Sequence, residues 1–322
     1  MQTIRHRGRH AFDAISARLF EGGIGISPRS DILYVDAHSG HDNNAGKSWS
    51  TAKATIGSAL GIVQSGGVIA IRGRFTEQAT TPTSVTDVTI VGVNTRPRAG
   101  HTDVGPKRGA ANWRPAAAPT GANFTVTCQG WRVVNIMFSG HAEHAMISLQ
   151  RDAGAGTAEK NAGHFSAFEC AFWGGLGAIW DTGGANNVHL YDCDFRNMTG
   201  ATAFAIKTVT TAIAVPLWWV VENCRFQNNK NHVSLDSSEG LFKGCVFTAI
   251  GHGITTVTKL DTKGPLGQGA NNVVTECFCG GDYRTNNNEY QGGSGDEWVG
   301  NYLRLVDGSA KDSGVWNLVP ST

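Results

Sequence analysis

The sequence predicts an all-β chain wound as a parallel solenoid, with three short strands to each coil. Three observations carry that expectation. One phrase recurs: Phe168-Glu-Cys170-Ala-Phe172, Tyr191-Asp-Cys193-Asp-Phe195, Glu222-Asn-Cys224-Arg-Phe226 and Lys243-Gly-Cys245-Val-Phe247. An earlier copy is Val134-Asn-Ile136-Met-Phe138, and a degenerate later one is Thr275-Glu-Cys277-Phe-Cys279. An apolar residue stands three positions before each Cys or Ile: Val133, Ala167, Leu190, Val221, Phe242 and Val274. Successive cysteines from Cys170 to Cys277 lie 23, 31, 21 and 32 residues apart. That is too short for a pair of helices and long enough for three strands and three turns. Finally, Gly is high at 42 and charged residues are low at 16%, as tight β coils require.

The elements follow in chain order. Residues 1–31 carry five Arg against three acidic residues, and Phe12, Ile15, Leu19 and Phe20 recur near helical spacing. A short amphipathic helix is expected over residues 11–21, ended by Gly22, Gly23, Gly25 and Pro28. This leader reads as a loosely packed segment or as an anchor to a larger assembly. Residues 32–300 hold the solenoid and its cap, and residues 301–322 a terminal pair of strands.

The cap begins with Leu33-Tyr-Val-Asp36, continues through Gly40, Asp42, Asn44, Gly46 and Ser48, and ends in Ala52, Ala54-Thr-Ile56 and Ala59-Leu60. A strand, a loop and a helix are expected, with Ala52, Ile56, Ala59, Leu60 and Val63 on the buried face. The cap would cover an open sheet edge. This phrase resembles the opening segment of right-handed parallel β-helix proteins of the pectin-lyase-like superfamily, bacteriophage tailspikes included. The resemblance and the general preference of parallel crossovers give a right-handed coil.

Strands are expected at Val68–Ile71 and Val88–Val91. Residues 94–121, with Arg96, Arg98, Lys107, Arg108, Arg114 and four Pro, read as an excursion from the coil. Within each later coil the first strand holds the residue at Cys minus three. The second holds Cys and the aromatic two places on, so that both face inward. The polar corner between them is Glu169, Asp192, Asn223, Gly244 or Glu276. Third strands are read at Ala145-Met-Ile147, Ala178-Ile-Trp180, Phe204-Ala-Ile206, Val233-Ser-Leu235 and Ile254-Thr-Thr256. Insertions near 150–163, 208–217 and 258–270 each follow a third strand and should project from one side.

Net charge of +1, with no basic stripe, argues against nucleic acid. No apolar run approaches the length of a membrane span. The first ten residues lack the apolar core of a secretory signal. Six of the seven cysteines sit on the repeat, five at its cysteine position and Cys279 at the aromatic position, which suits reduced thiols serving as small buried hydrophobes in a cytosol.

Chemistry is harder to place. One outward column reads Ser148, Asp181, Lys207, Asp236. Asp181 and Asp236, two coils apart, are the candidates for the paired carboxylates of a polysaccharide hydrolase. A solvated ladder is the plainer reading. A one-residue slip would turn the column inward. A second outward column reads Ala171, Asp194, Arg225, Val246, with an exposed Asp194–Arg225 pair expected. Trp173, Trp180 and Trp218, together with Asp194 and Arg225, are the candidates for glycan contact, since a flat indole suits a sugar ring. Asp42, Asn43 and Asn44 offer cation ligands but fit turn chemistry better. His144, His232 and His252 read as solvent-accessible corner residues. No metal site and no cofactor are expected.

The resemblance implies a component of a bacteriophage virion: a tailspike, fibre or head decoration. It would be made in the host bacterial cytoplasm, assembled as a homotrimer and joined to other virion proteins through residues 1–31. Host-surface polysaccharide is the expected external partner. The alternatives are a polysaccharide-degrading hydrolase or lyase, and a glycan-binding module.

Overall fold

In the computed structural model, the described residues are 31–93, 111–151, 162–209, 215–248, 258–280, 290–304 and 314–316. They form a parallel β-helix with three sheets along its sides. The first and second sheets are joined through the long strand Val68–Phe75, and the third has eight strands. Each strand pairs in parallel with its counterpart one coil on, as in Leu190↔Val221, Phe195↔Phe226 and Ile206↔Val233. The sole antiparallel pairing among the described strands joins Asn301–Arg304 to Gly314–Trp316 at the C-terminal end.

The repeat fills the tube as its spacing implies. Val133, Ala167, Leu190, Val221, Phe242 and Val274 are all buried. Trp113, Phe138, Phe172, Phe195, Phe226 and Phe247 form a continuous stack, with neighbouring centroids 4.7–5.6 Å apart. The cysteines lie at the corner just before the second strand rather than within it. Their thiols donate back to the preceding coil: Cys193 Sγ to Ala167 O at 3.3 Å and Cys245 Sγ to Val221 O at 3.3 Å. The corner residue ahead of each cysteine is left-handed, with φ 51° at Glu169, 52° at Asp192, 53° at Asn223, 63° at Gly244 and 56° at Glu276.

The cap holds Ile32–Asp36 as the first rung, paired with Val68–Arg72. Its helix is short, Ile56–Leu60, and Ala52, Ile56, Ala59, Leu60 and Val63 are buried as the pattern requires. The Asp42 carboxylate accepts from the amides of Ala54 and Thr55, both at 2.9 Å. The buried Lys53 ammonium donates to the carbonyls of Asp42 and Asn44, at 2.8 and 2.9 Å. An internal cation thus occupies the loop oxygens that a metal would use.

Three sequence expectations need correction. The excursion at 94–121 contains a regular second-sheet strand, Ala111–Trp113, which pairs with Gly73–Phe75. The third strand of the late coil is Thr258–Asp261, not Ile254–Thr256, because Leu260 pairs with Val233. The insertion expected from residue 258 therefore begins after that strand. His232 faces the interior and is fully buried beside Phe226 and Phe247, not at a wet corner. The expected leader helix, the tips of the insertions at 150–163 and 208–217, and His252 lie outside the described residues.

Candidate functional site

The outer face of the solenoid is where the described side chains meet solvent, and strand register decides which of them share it. On the second sheet one outward column runs Met137, Ala171, Asp194, Arg225, Val246, Phe278, Tyr302. Beside it runs Ser139, Trp173, Arg196, Gln227, Thr248. Three of the expected contact residues, Trp173, Asp194 and Arg225, are thus neighbours. The ion pair is not the expected one: Asp194 binds Arg196 in its own strand at 2.7 Å, because residues two apart on a strand share a face. Arg225, one rung on, is left exposed. Phe278 and Tyr302 stack at 5.4 Å. From the Trp173 rung to the Phe278 rung is four steps, about 19 Å along the axis. The strip therefore has an aromatic at each end and guanidinium and amide donors between them.

The other indoles lie elsewhere. Trp180 is on the outer face of the third sheet, with the Lys207 ammonium 5.7 Å from its ring and 5.0 Å from that of Phe204. Trp218 stands at the corner between the third and first sheets, 45% exposed, while its neighbour Trp219 is fully buried.

The carboxylate column does not form. Ile147, Ile179, Ile206 and Val233 are the true core register. The outward column is therefore Ser148, Trp180, Lys207, Ser234, Asp261. Asp181 falls one place further on, beside Leu149 and Thr208, and is buried. Its carboxylate accepts from the amides of Gly183 and Ala185, both at 3.1 Å. Burial pushes its pKa up to about 7, against the pull of those backbone donors. Asp236 is buried too and accepts from the amides of Leu266 and Gln268, both at 3.0 Å. Burial raises it as well. Both carboxylates hold turns, each inside a closed set of backbone donors.

The sequence reading missed one polar cluster on the first sheet. His189 Nε2 lies 3.0 Å from Glu222 Oε2. Tyr191, 38% exposed, sits beneath Glu222 in register, and Phe168 packs edge-on against His189 at 5.4 Å. The signal was present: outward positions of the first strand fall at Cys minus four and Cys minus two, one on each side of the core residue. Among the described residues no group of three or more His, Cys, Asp or Glu side chains is placed to hold a metal ion. No helix among them is long and apolar enough to cross a membrane.

The coil geometry defines a right-handed parallel β-helix of the pectin-lyase-like fold. Comparison with solved structures supports that class. The chain is similar to the tailspike protein gp49 of the Acinetobacter baumannii bacteriophage Fri1, a capsular polysaccharide depolymerase. The TM-score is 0.50 at 12% identity, over 87% of this chain and 56% of that one. The chain thus spans little more than half of the tailspike's length. Weaker likenesses include Geobacillus virus E2 ORF18 (TM-score 0.47, 11% identity, 94% of this chain and 66% of that one) and pectate lyase Pel9A (0.46, 13%, 89% and 80%). At these identities the likeness speaks to the fold. No protein-family description matches the chain, and no curated protein does.

Proposed function

We propose that this chain is a non-catalytic structural component of a bacteriophage virion, a tailspike, fibre or head decoration, that meets host-surface glycans through the outer face of its coils. One observation carries the reading. The outer face of the second sheet carries aromatic platforms and hydrogen-bond donors, while Asp181 and Asp236 are consumed in holding turns. Flat aromatic faces with a few polar groups suit sugar rings, and hydrolysis by paired carboxylates needs two that reach substrate. The tailspike likeness is consistent with the virion setting. The chain would act as a homotrimer, attached to other virion proteins through residues 1–31.

The test is direct. Incubation with neutral and acidic polysaccharides, followed by reducing-end assay and by absorbance of unsaturated product, should give binding without turnover. Light scattering should report three copies. Deleting residues 1–31 should leave the solenoid folded and abolish its incorporation into particles.

A second reading, a polysaccharide-degrading enzyme, is favoured by the half-buried His189–Glu222 pair beside Tyr191. A histidine held by a carboxylate is a general acid–base arrangement. Turnover that disappears in His189→Asn would establish it and displace the first reading.

A further inference from the structure

Trp218 has φ 58°, in the left-handed region. The fold imposes that conformation, since the same corner recurs in successive coils. Asp87, Gly130, His164, Asn187, Trp218, Glu239, Asn271 and Gly295 all hold φ between 55° and 77° there. Gly, Asn and Asp tolerate this region because a missing or short polar side chain relieves the clash. Tryptophan does not, and a bulky residue there is an outlier. The indole gains little packing in return, being 45% exposed while the adjacent Trp219 fills the core. Its one polar contact is outward: Nε1 donates to Glu239 Oε2, one coil on, at 2.6 Å. The corner is otherwise regular, with Trp218 N donating to Ser238 O at 3.0 Å and Asn187 N to Leu217 O at 2.9 Å.

The coil would be served better by Asn, which it uses at the neighbouring Asn187 and again at Asn271. Backbone strain kept at an exposed aromatic points to a use outside folding. We propose that Trp218 is the stacking platform of a sugar subsite, with Glu239 as the acceptor that orients a hydroxyl of the stacked ring. The occupant is a neutral pyranose unit. An apolar ring face lies on the indole, and the charge that meets the indole's edge is the Glu239 carboxylate, which repels a uronate. The subsite rests on the glycan-contact reading above and narrows its chemistry. It stands at a corner, apart from the second-sheet strip.

The experiment pairs stability with binding in the full chain. Neutral malto-, cello- and galacto-oligosaccharides and acidic oligogalacturonates are the probes, read by calorimetry and tryptophan fluorescence. Trp218→Asn should raise the melting midpoint by about 2 °C and weaken neutral-sugar binding about tenfold or more. Glu239→Gln removes the charged acceptor, so it should weaken neutral binding and narrow or reverse the preference over oligogalacturonate. A side chain with a purely structural role would lower stability when removed, so the opposite signs are diagnostic. Unchanged neutral binding in Trp218→Asn overturns the subsite while leaving the glycan reading intact. A lowered melting midpoint overturns the strain argument. No binding of either sugar class by the parent chain overturns both readings together.

Discussion

Phe195 and Phe226 lie face to face across one rung, with centroids 4.7 Å apart and planes within 3° of parallel. Both are fully buried. The offset is fixed by strand register rather than by ring preference, because the two residues are direct partners in the parallel ladder. Truncating either ring removes contacts from two neighbouring coils at once. Phe226→Ala should therefore lose about 3–5 kcal/mol, read as a fall in the denaturant midpoint at constant slope.

The cysteine column gives a second expectation. None of the seven cysteines is in a disulfide, and all are buried. Burial pushes Cys170 and Cys224 upward, and Cys279 up to about 12. Burial also keeps all seven out of reach of a water-borne reagent. Native protein should take up no maleimide at neutral pH, and denatured protein should take up seven equivalents. Fast labelling of any cysteine in the native state would contradict the buried register.

Stability should depend on pH through His232. Burial, with the Lys259 charge one coil away, pushes its pKa down to about 3. The unfolded chain takes up this proton near pH 6.5 and the folded one only near 3. The contribution of His232 is thus complete above pH 6.5 and is lost as pH falls towards 3, at up to about 1.4 kcal/mol per pH unit. Asp181 runs the other way: its raised pKa favours the folded state below about pH 4 and loses that favour as pH rises through 7. His232→Met removes the first slope and leaves that of Asp181, so the stability of the variant relative to the parent should rise as pH falls from 6.5 to 4. Unfolding curves at pH 4 and pH 6.5 for parent and variant check the sign.

How much of this was legible follows from how each register is encoded. The Cys and Phe columns could be read because they repeat at a fixed offset inside a five-residue phrase. The third sheet could not. Its strands Ala145–Leu149, Gly177–Asp181, Phe204–Thr208, Asn231–Ser234 and Thr258–Asp261 each bury at least two consecutive residues, as in Met146-Ile147, Ala178-Ile179 and Ala205-Ile206, so period-two counting fails there. Trp180 and Leu235 are apolar and competed for the core slot that Ile179 and Val233 hold. That shifted Asp181 by one place and Asp236 by two. The last coil was missed for another reason. Asn301 takes the cysteine position, donating to Val274 O at 2.9 Å and accepting from Cys277 N at 3.0 Å. The hydrogen bonds survive there while the sequence signature does not.

The left-handed corners supply the last prediction. Glu276 holds φ 56° at a position where the preceding coil has Gly244 at φ 63°. A Cβ in this conformation meets its own backbone, at about 1–2 kcal/mol for an L residue. The glutamate recovers little, since its ion pair with Lys243 spans 3.8 Å at the surface, and such pairs are worth at most about 1 kcal/mol. Glycine gives back part of the gain through its freedom in the unfolded chain, roughly 0.5–1 kcal/mol. Glu276→Gly should therefore be neutral to stabilising by about 1 kcal/mol, whereas Gly244→Glu in the coil below should destabilise by a similar amount. Its Cβ would stand 2.5 Å from Asn223 Oδ1, so the amide must also move. Opposite signs for the two substitutions in thermal unfolding would show that the corner, not the charge, sets the preference.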